Sequence, residues 1–276
     1  MYVLGAILIG FVASVLAGMF GVGGAGVTTP ANRVILGASP AVSLGTTLPA
    51  VIPTALTGAY TYYRNGFLDS RVALYASASG VAGSVGGAYL TKVVDLHYLM
   101  LVTGVIVLYL AVLTIVRAWK SFPVAAEQPA VLDETGLPGE APGQQERRAS
   151  VLRLLAVGLG GGFVSGLLGV GGGIVLIPAF LYLLHLPIKK AFGTSLAVVA
   201  VIAIPGTIVH ALLGHISGWL FLFLTIGVIP GAYLGARISI GARERFLYAG
   251  FGIVLGAFGV LFIVNEIISM ITHHAL

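Results

Sequence analysis

Two glycine-rich runs combine residue types and spacing that could bind an anion through the backbone alone. Residues 18–26 read GMFGVGGAG, and residues 166–174 read GLLGVGGGI. Consecutive glycines form helix poorly, and a helix that starts after such a break points its unpaired N–H groups and the positive end of its dipole at one place. Oxyanions bind such helix N-termini without a charged side chain. We therefore predict a substrate site at the backbone of Gly23, Gly24, Ala25 and Gly26 and of Gly171, Gly172 and Gly173.

Two other interpretations of the glycines compete with this one. Gly21, Gly23 and Gly26 match the dinucleotide-binding fingerprint G-x-G-x-x-G. However, no strand precedes them, no acidic residue follows about 20 positions later, and the second run ends in Ile174. We therefore reject dinucleotide binding. Close packing of membrane helices, which small residues permit, remains an open alternative.

Hydroxyl and imidazole side chains near the two runs are the candidate side-chain ligands. Hydroxyl groups can donate to oxyanion oxygens, although serine or threonine in a membrane helix more often bonds the carbonyl four residues earlier. His210 lies deep within an apolar segment, where a pore donor, a proton carrier and a packed neutral imidazole all remain open. Asn32, one position before Arg33, is a further polar candidate. The predicted side-chain ligands are Thr28, Thr46, Thr47, Thr194, Ser195 and His210.

The composition places these residues in a membrane. Of the 276 residues, 58% are hydrophobic and only 8% are charged, whereas a soluble domain has about 25% charged residues. This excludes a soluble enzyme, a nucleic-acid-binding protein and a disordered chain. The net charge of +5 is typical of basic residues collected in cytoplasmic loops. No set of His, Asp and Glu has the spacing of metal ligands and cysteine is absent, so we expect no metal, no other cofactor and no catalytic residues.

The apolar segments predict an all-α polytopic membrane protein, because they lack the period-two alternation of strands. Residues 2–20 read as a retained membrane helix, since neither a basic start nor a small-residue cleavage site marks a signal peptide. The remaining predicted segments are 27–37, 41–62, 72–91, 98–116, 153–168, 174–186, 191–213, 218–236 and 246–268.

The chain divides into two repeats joined by a polar linker. Residues 121–150 contain four of the twelve prolines and five of the nine acidic residues, which is typical of a solvated linker. We predict a first transmembrane repeat at 1–120, a cytoplasmic linker at 121–150 and a second repeat at 151–276. A shift of 148 residues aligns the repeats without a gap, from Gly18 on Gly166 to Gly104 on Gly252. Paired glycine-interrupted segments of this kind are typical of secondary transporters.

The basic residues favour inverted rather than parallel repeats. If each repeat is a glycine-broken re-entrant hairpin followed by three transmembrane helices, it crosses the membrane an odd number of times. Twelve of the fourteen Lys and Arg residues then share the linker's face, and only Arg33 and Lys92 lie opposite. If the glycine segment instead crosses once, the basic residues split seven to seven. Because basic residues concentrate in the cytoplasm, we predict inverted repeats with both termini outside.

The motifs resemble the TauE/SafE family of sulfite exporters and 4-toluene sulfonate uptake permeases. The resemblance rests on the paired glycine runs, each followed by proline, on Gly45-Thr46-Thr47 and Gly193-Thr194-Ser195, and on residues 230–237, PGAYLGAR. It implies transport of small sulfur oxyanions such as sulfite, thiosulfate, sulfoacetate or other organosulfonates across a bacterial or archaeal inner membrane. We expect a non-enzymatic secondary transporter that exports by alternating access, with an anion channel and an uptake permease as alternatives.

The acidic residues are consistent with export. Asp69, Asp95, Glu244 and Glu266 fall at or near segment ends, so no carboxylate lies at mid-membrane to carry a coupling ion. A negative cytoplasm drives a monovalent anion outward with about 2.3 kcal/mol per 100 mV. The expected partners are the small anionic substrate and the lipid bilayer, without nucleic acid, and a homodimer remains open.

Overall fold

A computed structural model describes residues 2–90, 105, 107–116, 150–168 and 172–274, and these residues form helices without any strand. The all-helical prediction is thereby confirmed for the described chain. The predicted linker at 121–150 lies outside it except for residue 150. The helices are α1 (Tyr2–Phe20), α2 (Ala25–Val34), α3 (Pro40–Arg64), α4 (Ser70–Leu90), α5 (Val107–Val116), α6 (Val151–Leu168), α7 (Gly173–Tyr182), α8 (Ile188–Leu212), α9 (Gly218–Gly241) and α10 (Glu244–His274).

The helix boundaries repeat along the chain at the interval found in the sequence. α2 and α7 begin at residues 25 and 173 and end at residues 34 and 182, so each boundary is displaced by 148. α3 and α8 are displaced by the same 148 residues at both ends, from 40 to 188 and from 64 to 212. Helices start and stop where local sequence changes, so equal boundaries mean that corresponding residues have corresponding positions in the two halves.

The first helix of each half packs against the fourth helix of the other half. Gly10 of α1 lies against Leu224 of α9, and Gly18 lies against Ala232, so the two helices run in the same direction. Glycine removes the side chain at the contact and lets the two backbones approach closely. α4 and α6 form the equivalent parallel pair, with Gly158 on Ala76 and Gly166 on Ser84.

The third helices of the two halves cross at the centre in opposite directions. Gly45 near the start of α3 contacts His215 just beyond the end of α8, and Gly58 near the end of α3 contacts Leu196 near the start of α8. Residue numbers rise along one helix as they fall along the other. α3 and α8 are therefore antiparallel.

Each short helix folds back along the helix before it. Gly24 at the start of α2 lies next to Ala17 near the end of α1, and Leu36 just beyond α2 lies next to Gly5. α2 is thus antiparallel to α1. α7 returns along α6 in the same way, with Gly172 next to Ser165 and Leu176 next to Gly161.

The interior is apolar and tightly packed, and the outside is also rich in apolar side chains. Phe192 of α8 makes edge contacts with the rings of Phe20 and Phe251, at centroid distances of 6.3 and 5.4 Å. Large apolar residues such as Leu152 and Leu212 are 77% and 83% exposed. Within the described residues, three helices are long and apolar enough to span a membrane, namely α1, α8 and α9. Lipid is the solvent that such an apolar exterior requires.

The close α4–α6 contact predicts a position-specific effect of adding one methyl group. A Cβ at Gly162 would meet the backbone of Gly80, whereas a Cβ at Gly160 would meet nothing within 4 Å. Overpacking of this kind costs about 1–3 kcal/mol. We expect Gly162→Ala to lower the thermal unfolding midpoint of the detergent-purified protein and Gly160→Ala to leave it unchanged or raised. Equal midpoints for the two variants would show that α4 and α6 do not pack as closely at Gly162 as the structure indicates.

Candidate functional site

The helix breaks predicted from the glycine runs are present in the backbone. α1 ends at Phe20 and α2 begins only at Ala25, after Gly24 with φ of 84°. α7 begins at Gly173, after Gly172 with φ of 72°. These backbone conformations favour glycine, because a Cβ in the left-handed region clashes with the neighbouring carbonyl. Gly171 lies outside the described residues.

The two breaks lie against each other inside the bundle. A Cβ added at Gly173 would fall 2.6 Å from the carbonyl oxygen of Gly21 and 2.8 Å from Cα of Val22. The hydroxyl of Ser195 donates a hydrogen bond of 3.1 Å to the same Gly21 carbonyl. Val22 is 3% exposed and Ser195 is fully buried. The structure therefore brings together the first run, the described start of α7 and Ser195.

The backbone at this meeting point presents the N-termini of two helices. The N–H groups of Val27 and Thr28 both bond the carbonyl of Gly24, at 3.1 and 3.0 Å. Those of Val175 and Leu176 bond the carbonyl of Gly172 at the same distances. The amides that precede them in α2 and α7, including those of Ala25, Gly26 and Gly173, have no intrahelical acceptor, because they belong to the first turn. Such amides can bind an anion.

The side chain of Tyr62 bonds the end of α1, just before the first break. Tyr62 is fully buried, and its hydroxyl donates to the carbonyl of Gly18 at 3.1 Å and to that of Met19 at 3.3 Å. The last carbonyls of a helix lack partners within the helix, so this side chain satisfies groups at the end of α1. Sequence reasoning missed this role. The available signal was that Tyr62 occupies the position equivalent to His210, so both repeats carry a polar ring near the end of their third helix.

The other four predicted hydroxyl ligands each have a different hydrogen-bond partner. Thr28 donates to the carbonyl of Gly24 at 3.0 Å, which is the common bond to the residue four earlier. Thr47 accepts a bond of 3.3 Å from the side chain of Asn32. Thr46 and Thr194 accept bonds of 3.0 Å from the N–H groups of Ser217 and Asp69, which precede α9 and α4.

The Thr46 and Thr194 bonds form a symmetric pair between the repeats. The two threonines are 148 residues apart, as are Asp69 and Ser217. Each hydroxyl satisfies a backbone donor at the loop of the opposite repeat. These bonds direct both hydroxyl groups to the loops before α9 and α4, and Thr194 directly precedes Ser195, which bonds the first break.

His210 lies near the end of α8 and is only half-buried. Its Nδ1 is 3.2 Å from Nδ1 of His215, and the two rings are 5.4 Å apart. Fifteen residues of helix separate His210 from Ser195, a rise of about 22 Å. The structure therefore does not bring His210 to the breaks. Among the described residues, no group of three or more His, Cys, Asp or Glu could hold a metal ion.

Comparison with known proteins identifies relatives over nearly the whole chain. The family model described as "Sulfite exporter TauE/SafE" matches residues 6–262. The chain is 25% identical over 246 residues to the "Probable membrane transporter protein YunE" of Bacillus subtilis, covering 87% of this chain and 88% of the relative. It is 24% identical over 267 residues to a "Probable membrane transporter protein" of Xylella fastidiosa, covering 96% and 94%. No solved structure is detectably similar to the chain.

The Ser195 bond predicts how strongly the stability of the protein depends on the contact between α8 and the first break. Ser195→Ala removes a donor from the buried carbonyl of Gly21, and an unsatisfied buried group costs about 1–3 kcal/mol. We expect the thermal unfolding midpoint of the purified protein to fall. Thr207→Ser keeps a hydroxyl that can bond the carbonyl of Ala203 within α8, and it serves as a control with an unchanged midpoint. A Ser195→Ala protein as stable as the wild type would contradict this dependence.

Proposed function

Since the chain belongs to the sulfite exporter TauE/SafE family and is a multi-pass membrane transporter, we propose that it exports a small sulfur-containing oxyanion. The proposed substrates are sulfite, thiosulfate, sulfoacetate or another organosulfonate, and the proposed membrane is the inner membrane. The family description names sulfite, which makes sulfite the first substrate to test.

The meeting of the two helix breaks carries this proposal. The buried N-termini of α2 and α7 offer first-turn amides to one region, and Gly21 and Gly173 let them approach. An oxyanion is the ligand that suits converging amides and positive dipole ends. The proposed substrate-binding residues at the breaks are Gly23, Gly24, Ala25, Gly26, Thr28, Gly171, Gly172, Gly173 and Ser195. Of the other predicted ligands, Thr46 and Thr194 bond loops, Thr47 bonds Asn32, and His210 lies about 22 Å along α8 from Ser195, so these four are not part of the proposed central site. The backbone binds the anion, and the hydroxyl groups tune selectivity.

The directions of the helices support an inverted arrangement of the repeats. α3 and α8 occupy equivalent positions in the two repeats and run antiparallel. A two-fold axis that relates antiparallel helices is perpendicular to them, so for membrane-spanning helices it lies in the membrane plane. Parallel repeats would require α3 and α8 to run in the same direction. The return of α2 along α1 supports a re-entrant hairpin at the start of each repeat.

The proposed topology places each segment on one face of the membrane, and the membrane potential drives transport outward. Both termini lie outside, and the 121–150 linker and twelve basic residues lie in the cytoplasm, as the distribution of basic residues in membrane proteins favours. Alternating access is a rocking of one repeat against the other around the central site. The membrane potential supplies about 2.3 kcal/mol per 100 mV for a monovalent anion moving outward.

The proposed topology makes an accessibility prediction. Tags joined to residues 1 and 276 should both react with an impermeant reagent added to intact cells. A protease site placed in the 121–150 linker should be cut only when the protease has access to the cytoplasmic face. Termini found on opposite faces would contradict inverted repeats, because two repeats with odd numbers of crossings give an even total.

The proposed anion site predicts that sulfite stabilises the protein through the breaks. A ligand at one hundred times its Kd adds about 2.7 kcal/mol of stability, which a thermal-shift measurement detects. Gly24→Ala strains a backbone with φ of 84°. A change in this φ relieves the strain but also changes the direction of the first N–H groups of α2. We expect the variant to fold and to lose most of the sulfite-dependent shift.

Gly66→Ala is the matched control, because Gly66 has a similar φ of 76° and nothing within 4 Å of an added Cβ. Both variants should lose about 1–2 kcal/mol of stability from strain. Only Gly24→Ala should lose the response to sulfite. A full sulfite-dependent shift in Gly24→Ala would exclude the first break from the site. An equal loss of this shift in both variants would show that backbone strain, and not the position of Gly24, causes the loss.

A further inference from the structure

Polar side chains are distributed unequally between the two repeats around the short helices. We define the first-repeat polar cluster as Ser14, Thr28, Asn32, Thr47 and Thr54, which are all buried with at most 4% exposed. These residues belong to α1, α2 and α3. The equivalent residues 148 positions later, in α6, α7 and α8, are Gly162, Leu176, Phe180, Ser195 and Ile202.

The second repeat fills this place with apolar packing. Leu176, Phe180 and Ile202 are at most 1% exposed and belong to the main hydrophobic core. The two repeats therefore have similar backbones but different linings. A purely structural role shared by both repeats would not require five polar residues in one of them, because burying polar groups is unfavourable without compensation.

Most hydroxyl protons of the cluster already have acceptors. Thr54 donates to the carbonyl of Ala50 at 2.8 Å, so Ser14 donates to the Thr54 oxygen at 3.2 Å. Thr28 donates to the carbonyl of Gly24. The remaining capacity for hydrogen bonding is concentrated at Asn32 and Thr47.

Asn32 is fully buried and only one end of its carboxamide is satisfied. Nδ2 donates to the Thr47 hydroxyl at 3.3 Å, and Oδ1 has no hydrogen-bond partner among the described residues. An unsatisfied buried polar group costs about 1–3 kcal/mol. If the carboxamide rotates by a half-turn, Thr47 can donate to Oδ1. Both N–H groups of Nδ2 then occupy the position where Oδ1 now lies without a partner. Asn32 can then offer donors to an anion without burying a positive charge.

The location of Asn32 differs from that of the breaks. It lies eight residues beyond Gly24, a distance of about 12 Å along α2. Thr47 is the equivalent of Ser195, which bonds the first break from the side where α8 begins. Because α3 and α8 are antiparallel, Thr47 lies on the opposite side, where α3 begins. In the proposed topology, this is the outer side of the breaks.

We infer that Asn32 and Thr47 form a second oxyanion-binding position on the outer side of the two breaks, between α2 and α3. The inference rests on the proposed export function, and it adds a place where the substrate binds on its way out. The equivalent place toward the cytoplasm is filled by Phe180, so the transport path is chemically asymmetric. External substrate should therefore depend on Asn32 more strongly than internal substrate does.

The test compares the two faces of the membrane in vesicles that contain the reconstituted full-length protein. Sulfite export is measured with sulfite varied inside, and its inhibition is measured with sulfite varied outside. We expect Asn32→Leu to weaken inhibition by external sulfite about tenfold or more, which corresponds to about 1.4 kcal/mol. Its KM for internal sulfite should change less than about twofold. Asn32→Asp, which is nearly isosteric, should weaken external inhibition at least as much, because its carboxylate repels the anion.

Ser79→Ala is the control, because the Ser79 hydroxyl bonds the carbonyls of Tyr75 and Ala76 within α4, a helix that contributes neither Asn32 nor Thr47. In this variant, the KM for internal sulfite and the inhibition constant for external sulfite should both match those of the wild type. If Asn32→Leu does not fold, Asn32→Asp decides the question. The inference would be wrong if a folded Asn32 variant is inhibited by external sulfite as strongly as the wild type, or if only its KM for internal sulfite changes. Either result would leave the proposed export function standing. A wild-type protein that neither binds nor moves sulfite or an organosulfonate would contradict the proposed function itself, and the second position with it.

Discussion

Every backbone amide and carbonyl within a membrane protein needs a partner, because lipid supplies none. This requirement makes the two short helices the decisive feature of the chain. α2 and α7 begin inside the bundle, where the first-turn amides of each lack intrahelical acceptors. Tyr62 satisfies a carbonyl at the end of α1, and Ser195 satisfies the carbonyl of Gly21 at the start of the first break. In the proposed function, the first-turn amides of α2 and α7 bind the small oxyanion.

The rest of the bundle keeps these two helix starts together. Glycine contacts let α1 pack on α9 and α4 pack on α6, so each half holds the first helix of the other. The Thr46 and Thr194 bonds join the central helices to the loops of the opposite repeat. In the proposed alternating access, the two repeats would move against each other along these contacts, since each of them joins one repeat to the other. The two roles of glycine, close packing and helix breaking, are thus performed by different residues of the same chain.

The sequence predicted the helices and the breaks well, because both are local. Apolar composition placed α1 at residues 2–20, and the glycine runs placed the interruptions before α2 and α7. The long-range pairing of α1 with α9 could not be derived, since glycine faces alone do not say which helix will meet them. The roles of Thr46 and Thr194 were hidden for the same reason: their partners lie 171 and 125 residues away. The unsatisfied amide of Asn32 is visible only once α3 is packed against α2.

The central claim is that the oxyanion lies between the N-termini of α2 and α7. Selenite, a heavier analogue of sulfite, tests this directly, because the anomalous diffraction of selenium locates the ion in crystals of the native protein. The account predicts an anomalous peak within hydrogen-bond distance of the amides of residues 24–26 and 172–174, and this peak should decrease when sulfite is added. A selenite peak elsewhere that sulfite displaces, with none at these amides, would contradict the account.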